Sequence, residues 1–213
     1  GFSIELQTTN GMMTKSTPAR QTVRSQILNM PTIAVSTSLL TTLLNNLPLF
    51  NLLISVGDTN LDGKLSIGEL SLITSVDLST FPLVTSLTGI RYLPNLSILK
   101  LNNKNLINNL DVSSNTKLTV LECSSCSLAS LNVSYNKNLT SLICNGNNLT
   151  ALDVTKNTLL TTLNCSNNRL TTLDISKCPL LSSLLCYDNR LTTLDASLMA
   201  APTTFTLTTG KQK

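Results

Sequence analysis

The feature that most constrains this chain is a period of 21 residues. The pattern L-x-x-L-x-C-x-x-N-x-L-x-x-L-D-V fits LTSLICNGNNLTALDV from Leu139, LTTLNCSNNRLTTLDI from Leu160 and LSSLLCYDNRLTTLDA from Leu181. It fits LTVLECSSCSLASLNV from Leu118 and LSILKLNNKNL from Leu96 more loosely. The central pairs are Leu99/Leu101, Leu121/Cys123, Leu142/Cys144, Leu163/Cys165 and Leu184/Cys186, spaced by 22 residues once and then by 21 three times. A unit this short cannot bury its own apolar face, so successive units must stack.

Two further rungs follow from extending the register. Adding 21 to Leu184 and Cys186 lands on Phe205 and Leu207, in the alternating segment TTFTLTT. Going back 23 from Leu99 and Leu101 lands on Val76 and Leu78, with Leu83 following at the expected offset. The predicted fold is therefore a leucine-rich-repeat solenoid of seven short parallel strands, with atypical end rungs and a small helical N-terminal cap. The expected division is a polar extension over 1–35, a helical cap over 36–74 and the solenoid over 75–213. Within the extension, TVRSQIL has the makings of a helical turn or two, and the rest reads as extension or linker.

In each rung, the Leu-x-Cys pair puts two side chains inward and leaves the residue between them outward. Asn147, Asn168 and Asn189 fall where an inward amide can bond turn backbone. Cys126 and Lys104 replace that Asn in the earlier rungs, and Lys104 is expected to bend outward.

Composition supports this reading and excludes others. Aromatic residues are 3% and charged residues 12%, with no Trp and no His, so the core must come from stacked aliphatic side chains. The net charge of +4 is spread without a basic run, which argues against nucleic-acid binding. No stretch of eighteen apolar residues suggests a transmembrane segment, and Leu39–Leu53, interrupted by Asn45, Asn46 and Pro48, reads as one or two short core helices. Without His, the usual general bases left are carboxylates, and the series Asp111, Asp153, Asp174, Asp195 recurs too regularly for an active site. A non-catalytic role is expected. Gly1 reads as a processed or artificial end.

The segment from about Leu53 to Leu207 resembles the cysteine-containing leucine-rich repeats of bacterial internalin-like and gut-anaerobe surface proteins. The shared parts are an EF-hand-like DTNLDGKLSIGEL, then LTGIRYLPNL, then 21-residue coils of the form LxxLxCxxNxLxxLDVSxN. The resemblance implies export, exposure at a cell surface, and binding of a protein or glycan.

Asp58 to Glu69 matches the twelve-residue EF-hand loop at its important places. Oxygen ligands would come from Asp58, Asn60, Asp62, the Lys64 carbonyl, Ser66 through water and bidentate Glu69, with Gly63 at the sharp turn. One structural Ca2+, fastening the helical cap over the first rung, is the expected occupant. The alternative is a degenerate loop that holds helices in place without metal.

Cys123, Cys144, Cys165 and Cys186 share one repeat position and form an inward ladder. Neighbouring rungs would permit a disulfide by Cα separation, but parallel stacked side chains do not easily reach the required dihedral. Free, buried thiols are expected. Cys123-x-x-Cys126 has no second pair and no His to complete a zinc site, and Cys178 reads as a turn residue.

Function should lie on outward positions that the repeat does not dictate. Asp77, Lys100 and Glu122 alternate in sign along one face, whereas Ile143, Leu185 and Tyr187 bring apolar and aromatic groups beside Asn145 and Asn164. These five are the candidate contact residues for a protein or glycan. The competing expectations are coverage of this face by the C-terminal tail or by a further domain, and a structural spacer within a larger envelope protein.

Overall fold

The computed structural model describes residues 2–8, 11–17, 53, 57–60, 65–79, 87–104 and 110–195. Its main body is a six-stranded parallel sheet in which each strand pairs with the next in sequence. The strands are β3 (Ser75–Asp77), β4 (Ile98–Lys100), β5 (Val120–Glu122), β6 (Ser141–Ile143), β7 (Thr162–Asn164) and β8 (Ser183–Leu185). The register aligns Val76, Leu99, Leu121, Leu142, Leu163 and Leu184, as the repeat predicts. This is a leucine-rich-repeat solenoid. The predicted seventh strand, around Phe205 and Leu207, lies outside the described residues, as does Leu83.

Each rung is held by the same set of contacts. The inward strand leucines and the ladder Leu78, Leu101, Cys123, Cys144, Cys165 and Cys186 are buried. The opposite wall stacks Leu128, Leu149, Leu170 and Leu191, then Val112, Val133, Val154 and Ile175. Burying each such aliphatic side chain contributes about 1.5–3 kcal/mol relative to exposure, so repetition replaces the missing aromatic anchors.

Strands β4–β8 are only three residues long because the chain leaves each of them through a left-handed turn. Asn103, Ser125, Gly146, Asn167 and Asp188 all have positive φ at one repeat position. Asn, Asp and Gly tolerate that conformation best, and Ser125 is the strained member of the series. The turn backbones then bond forward: Asn103 N to the Ser124 carbonyl at 2.8 Å, and Asn167 N to the Tyr187 carbonyl at 2.9 Å.

Two interior side-chain ladders complete the rungs. In the first, the Nδ2 of Asn147 donates to the Cys123 and Cys144 carbonyls, and its Oδ1 accepts from the N–H groups of Cys126 and Leu128. Asn168 and Asn189 repeat the two donations, and their Oδ1 atoms accept from the Leu149 and Leu170 N–H groups. In the second, Asn115, Asn136 and Asn157 each donate to two carbonyls of the preceding turn, but their Oδ1 atoms are buried without a hydrogen bond. Cys178 takes the fourth place in that series; it sits at the turn as predicted, but its thiol points inward to the Val154 and Asn157 carbonyls at 3.6 and 3.7 Å.

Lys104 corrects an expectation. It is not bent outward; it is buried, and its Nζ reaches the Ser79 carbonyl at 3.3 Å. The long stem fills the interior while the ammonium finds an acceptor one rung earlier, which a shorter polar side chain could not do.

N-terminal to the solenoid, α1 (Ile67–Leu72) packs Leu70 inward, and a 3-10 turn η1 (Thr88–Tyr92) precedes β4. Helix α1 lies within the segment read as a helical cap; of the expected core helix or helices over Leu39–Leu53, only Leu53 falls among the described residues. Within the segment read as a polar extension, residues 2–8 and 11–17 are described. They form an antiparallel pair, β1 (Phe2–Thr8) and β2 (Gly11–Thr17), in a sheet of their own. The alternation of Phe2, Ile4 and Leu6 with polar residues carries the period of two that favours a strand.

Candidate recognition face and cap loop

The outward side of the parallel sheet is a grid. Its first column is Ile98, Val120, Ser141, Thr162 and Ser183; its second is Lys100, Glu122, Ile143, Asn164 and Leu185. All ten are partly exposed. A third column, two residues further on, holds Asn102, Ser124, Asn145, Ser166 and Tyr187, of which only Ser166 is buried. The structure thus brings the five predicted contact residues together on three consecutive rungs.

The two ends of the grid differ in chemistry. Toward the N-terminus, Lys100 Nζ pairs with Glu122 Oε1 at 3.0 Å, and Asn102 Nδ2 donates to Glu122 Oε2 at 2.9 Å. Asn102 Oδ1 accepts the Ser124 N–H, and the Ser124 hydroxyl lies 2.7 Å from Asn145 Oδ1. Of the predicted charge ladder, the Lys100–Glu122 step closes as an ion pair, whereas Asp77 holds the N–H and hydroxyl of Ser79. That serine is the first cause of the lowered Asp77 pKa, ahead of Lys100. A partly exposed pair of this kind contributes about 0–1 kcal/mol, so its main effect is to occupy the polar groups of this half with one another.

Beyond Asn145 no charged residue appears in the grid. Asn164 Oδ1 accepts from the N–H and hydroxyl of Ser166, at 3.2 and 2.8 Å. Among the described residues, the hydroxyls of Ser141, Thr162 and Ser183 and the amide N–H groups of Asn145 and Asn164 bond no protein group.

Two columns escaped the sequence reading. Thr119, Thr140, Thr161 and Ser182, just before the strands, each donate a hydroxyl to the carbonyl one rung earlier, at 3.0–3.2 Å. Next to them, Lys117 donates to Asn95 and Asn138 to the Thr116 carbonyl, but the same position in later rungs carries Leu159 and Leu180. These two are 42% and 48% exposed, more than the apolar residues of the grid, so an exposed apolar pair lies beside the sheet and not on it. The exchange of polar for apolar residues at one register position was the available signal.

The cap loop is organised by Glu69. Its Oε2 accepts from Ser66 N at 2.9 Å and Ser66 Oγ at 2.8 Å, while Glu69 N donates to Ser66 Oγ, forming a capping box at the start of α1. Its Oε1 accepts from Thr59 N at 3.1 Å. The Ser66 bonds, then those from Thr59 and Asn60, outweigh desolvation and lower the carboxyl pKa to about 2. Asp58 and Asn60 lie at the start of this loop; Asp62 and Lys64, two of the six predicted ligands, lie outside the described residues.

All six cysteines are free and buried. Burial raises every one of their pKa values, most strongly in the stacked ladder of Cys123, Cys144 and Cys165. They are interior packing groups and not nucleophiles at neutral pH.

No family model and no curated protein matches the chain. Solved structures do. An internalin, InlF, from Listeria monocytogenes str. 4b F2365 superposes with a TM-score of 0.56 at 22% identity, over 72% of this chain and 46% of that one. Internalin C2 of the same strain gives 0.50 at 18% identity, over 79% of this chain and 84% of that one. The fold is the internalin type of leucine-rich-repeat solenoid. The functional domain of InlJ from Listeria monocytogenes, which includes a cysteine ladder, is 28% identical over 66% of this chain and 40% of that one, with a TM-score of 0.48. The chain spans less than half the length of the InlF and InlJ structures. Among the described residues of this internalin-type solenoid, no helix is long and apolar enough to cross a membrane.

Proposed function

We propose that the protein is an exported, non-catalytic recognition module that binds a protein or glycan through the outward face of its parallel sheet, on the rungs of β6–β8. The observation that carries this reading is the change in that face between the rung of β5 and the rungs of β6–β8. The charged half is internally bonded, whereas the other half presents Ile143, Leu185 and Tyr187 with unengaged amide and hydroxyl donors. A pure spacer has no need of such a change, and contact energy concentrates in partly desolvated apolar and aromatic groups. The internalin-type fold is consistent with an interaction role. An array of purified surface proteins and glycans tests the reading: ligands should be captured by the native chain and lost on changing Leu185 and Tyr187.

The cap loop supports a second, structural role for one calcium ion. Glu69 is an anionic, buried carboxylate turned back onto the loop at Thr59 and Ser66, and the predicted donors are all hard oxygen atoms. When bound, the ion would link Asp58, Asn60, Asp62, the Lys64 carbonyl, Ser66 and Glu69. Calcium should raise the melting temperature by favouring the native state, and Glu69→Gln should remove most of the increase. Identical melting curves in calcium and in chelator would mean the loop works by its hydrogen bonds alone.

A further inference from the structure

We infer that the face formed by β6–β8 takes a neutral polysaccharide, lying across the rungs, and not a charged ligand. This deepens the preceding proposal and rests on it.

The first argument is charge. Three outward positions on each of three rungs, from Ser141 to Tyr187, include no ionisable side chain other than the Tyr187 phenol. The adjoining half of the same sheet does carry charge, but Lys100 and Glu122 neutralise each other at 3.0 Å, and Asn102 takes the remaining carboxylate oxygen. Desolvating an unpaired ligand charge against such a face would find no compensating partner.

The second argument is the kind of donor left over. The hydroxyls of Ser141, Thr162 and Ser183 stand in one column on successive rungs and bond no other protein group among the described residues. Beside them, Asn145 Oδ1 accepts from the Ser124 hydroxyl, and Asn164 Oδ1 accepts the Ser166 N–H, which fixes the Asn164 amide; neither Nδ2 bonds a protein group among the described residues. Hydroxyls and oriented amides are suited to sugar hydroxyls, which both donate and accept. Tyr187 closes the third column, where its ring can cover the apolar face of a pyranose while the phenol stays wet.

The third argument is spacing. Parallel strands lie about 4.8 Å apart, so the hydroxyl column repeats at that interval. An extended chain of pyranose rings advances by a similar distance per sugar, which lets each rung meet an equivalent unit.

Affinity electrophoresis of the whole chain tests this. The gels contain hydroxyethylcellulose, xyloglucan, galactomannan or dextran as neutral polymers, and polygalacturonate or heparin as anionic ones. At least one neutral polymer should retard the protein, and retardation should persist at about 1 M salt, where the Debye length is about 3 Å. Thr162→Val, which removes one hydroxyl at nearly constant shape, should weaken that binding about threefold to tenfold. Ser183→Ala serves the same purpose should the valine variant misfold, and Glu122→Gln, on the charged half, should leave binding unchanged. Retardation by anionic polymers alone, abolished by salt, would overturn the inference, as would no retardation by any of the four neutral polymers. If the neutral polymers fail but an arrayed protein is bound and lost in Leu185→Asp, the recognition face stands and only its ligand class falls. If neither polymer nor array ligand is bound, both fall.

Discussion

The side-chain amide of Asn147 donates to the carbonyl oxygen of Cys123, one full rung earlier, at 2.9 Å. The same amide reaches the Cys144 carbonyl within its own rung, while its oxygen holds the N–H groups of Cys126 and Leu128. One residue thus satisfies four buried backbone groups across two rungs. Its counterpart on the other ladder, Asn136, serves only two, the carbonyls of Val112 and Asn115, and leaves its own oxygen unbonded.

This asymmetry makes a paired prediction. Asn147→Ala should destabilise the protein by at least about 2 kcal/mol, because each buried group stripped of its partner costs about 1–3 kcal/mol. Asn136→Ala should cost at least about 1 kcal/mol less, since it also removes an unsatisfied oxygen. Denaturant unfolding of the two variants measures the difference. Equal losses would show that the ladders are energetically equivalent.

The cysteines should be silent in the native protein. All six thiols are buried and their pKa values raised by burial, so a thiol reagent at neutral pH should modify almost none. After denaturation without reductant, six should react. Recovery of fewer would mean that some pair as disulfides.

Acid should loosen the cap. The Glu69 carboxyl is lowered from an ordinary value of 4.5 to about 2, first by Ser66 and then by Thr59 and Asn60. The unfolded chain therefore takes up a proton at higher pH than the folded one. The stability from this group is present above about pH 4.5 and is lost as pH falls toward about 2. Asp77, Asp111, Asp153 and Asp174 are lowered mainly by bonds from the residue two positions on, and they add to the loss in the same direction. Glu69→Gln should reduce the acid dependence of chemical unfolding; an unchanged pH profile would assign the cap's stability to packing alone.

Much of this architecture is legible in the sequence because Leu-x-Cys at a fixed spacing allows little besides a three-residue strand with two inward side chains. Even the irregular first rung, 23 residues before Leu99, pairs as the register requires. Lys104 was misjudged because a charge at an inward position suggests escape to solvent, whereas its four-carbon stem lets it fill the core and still reach the Ser79 carbonyl. Glu69 carried two compatible signatures, the last ligand of a calcium loop and the third residue of a capping box, and spacing alone does not separate them. The Ser and Thr columns flanking each strand were illegible for another reason. Whether a hydroxyl bonds the previous rung, as Thr140 does, or no protein group among the described residues, as with Thr162, depends on one step of backbone direction.

The central claim is that recognition lies on the sheet face near β8. Leu185→Asp combined with Tyr187→Ser tests it most directly, because both side chains are outward and partly exposed while the neighbouring Leu184 and Cys186 form the core. The double variant should unfold within about 1 kcal/mol of the native chain, as surface substitutions do, and should lose binding to the ligand that the native chain captures from the array. The same binding assay on Asp153→Ala with Asp174→Ala, exposed on the opposite wall, should be nearly unchanged. Undiminished binding by a well-folded Leu185→Asp/Tyr187→Ser protein would contradict the account and turn attention to the exposed Leu159 and Leu180.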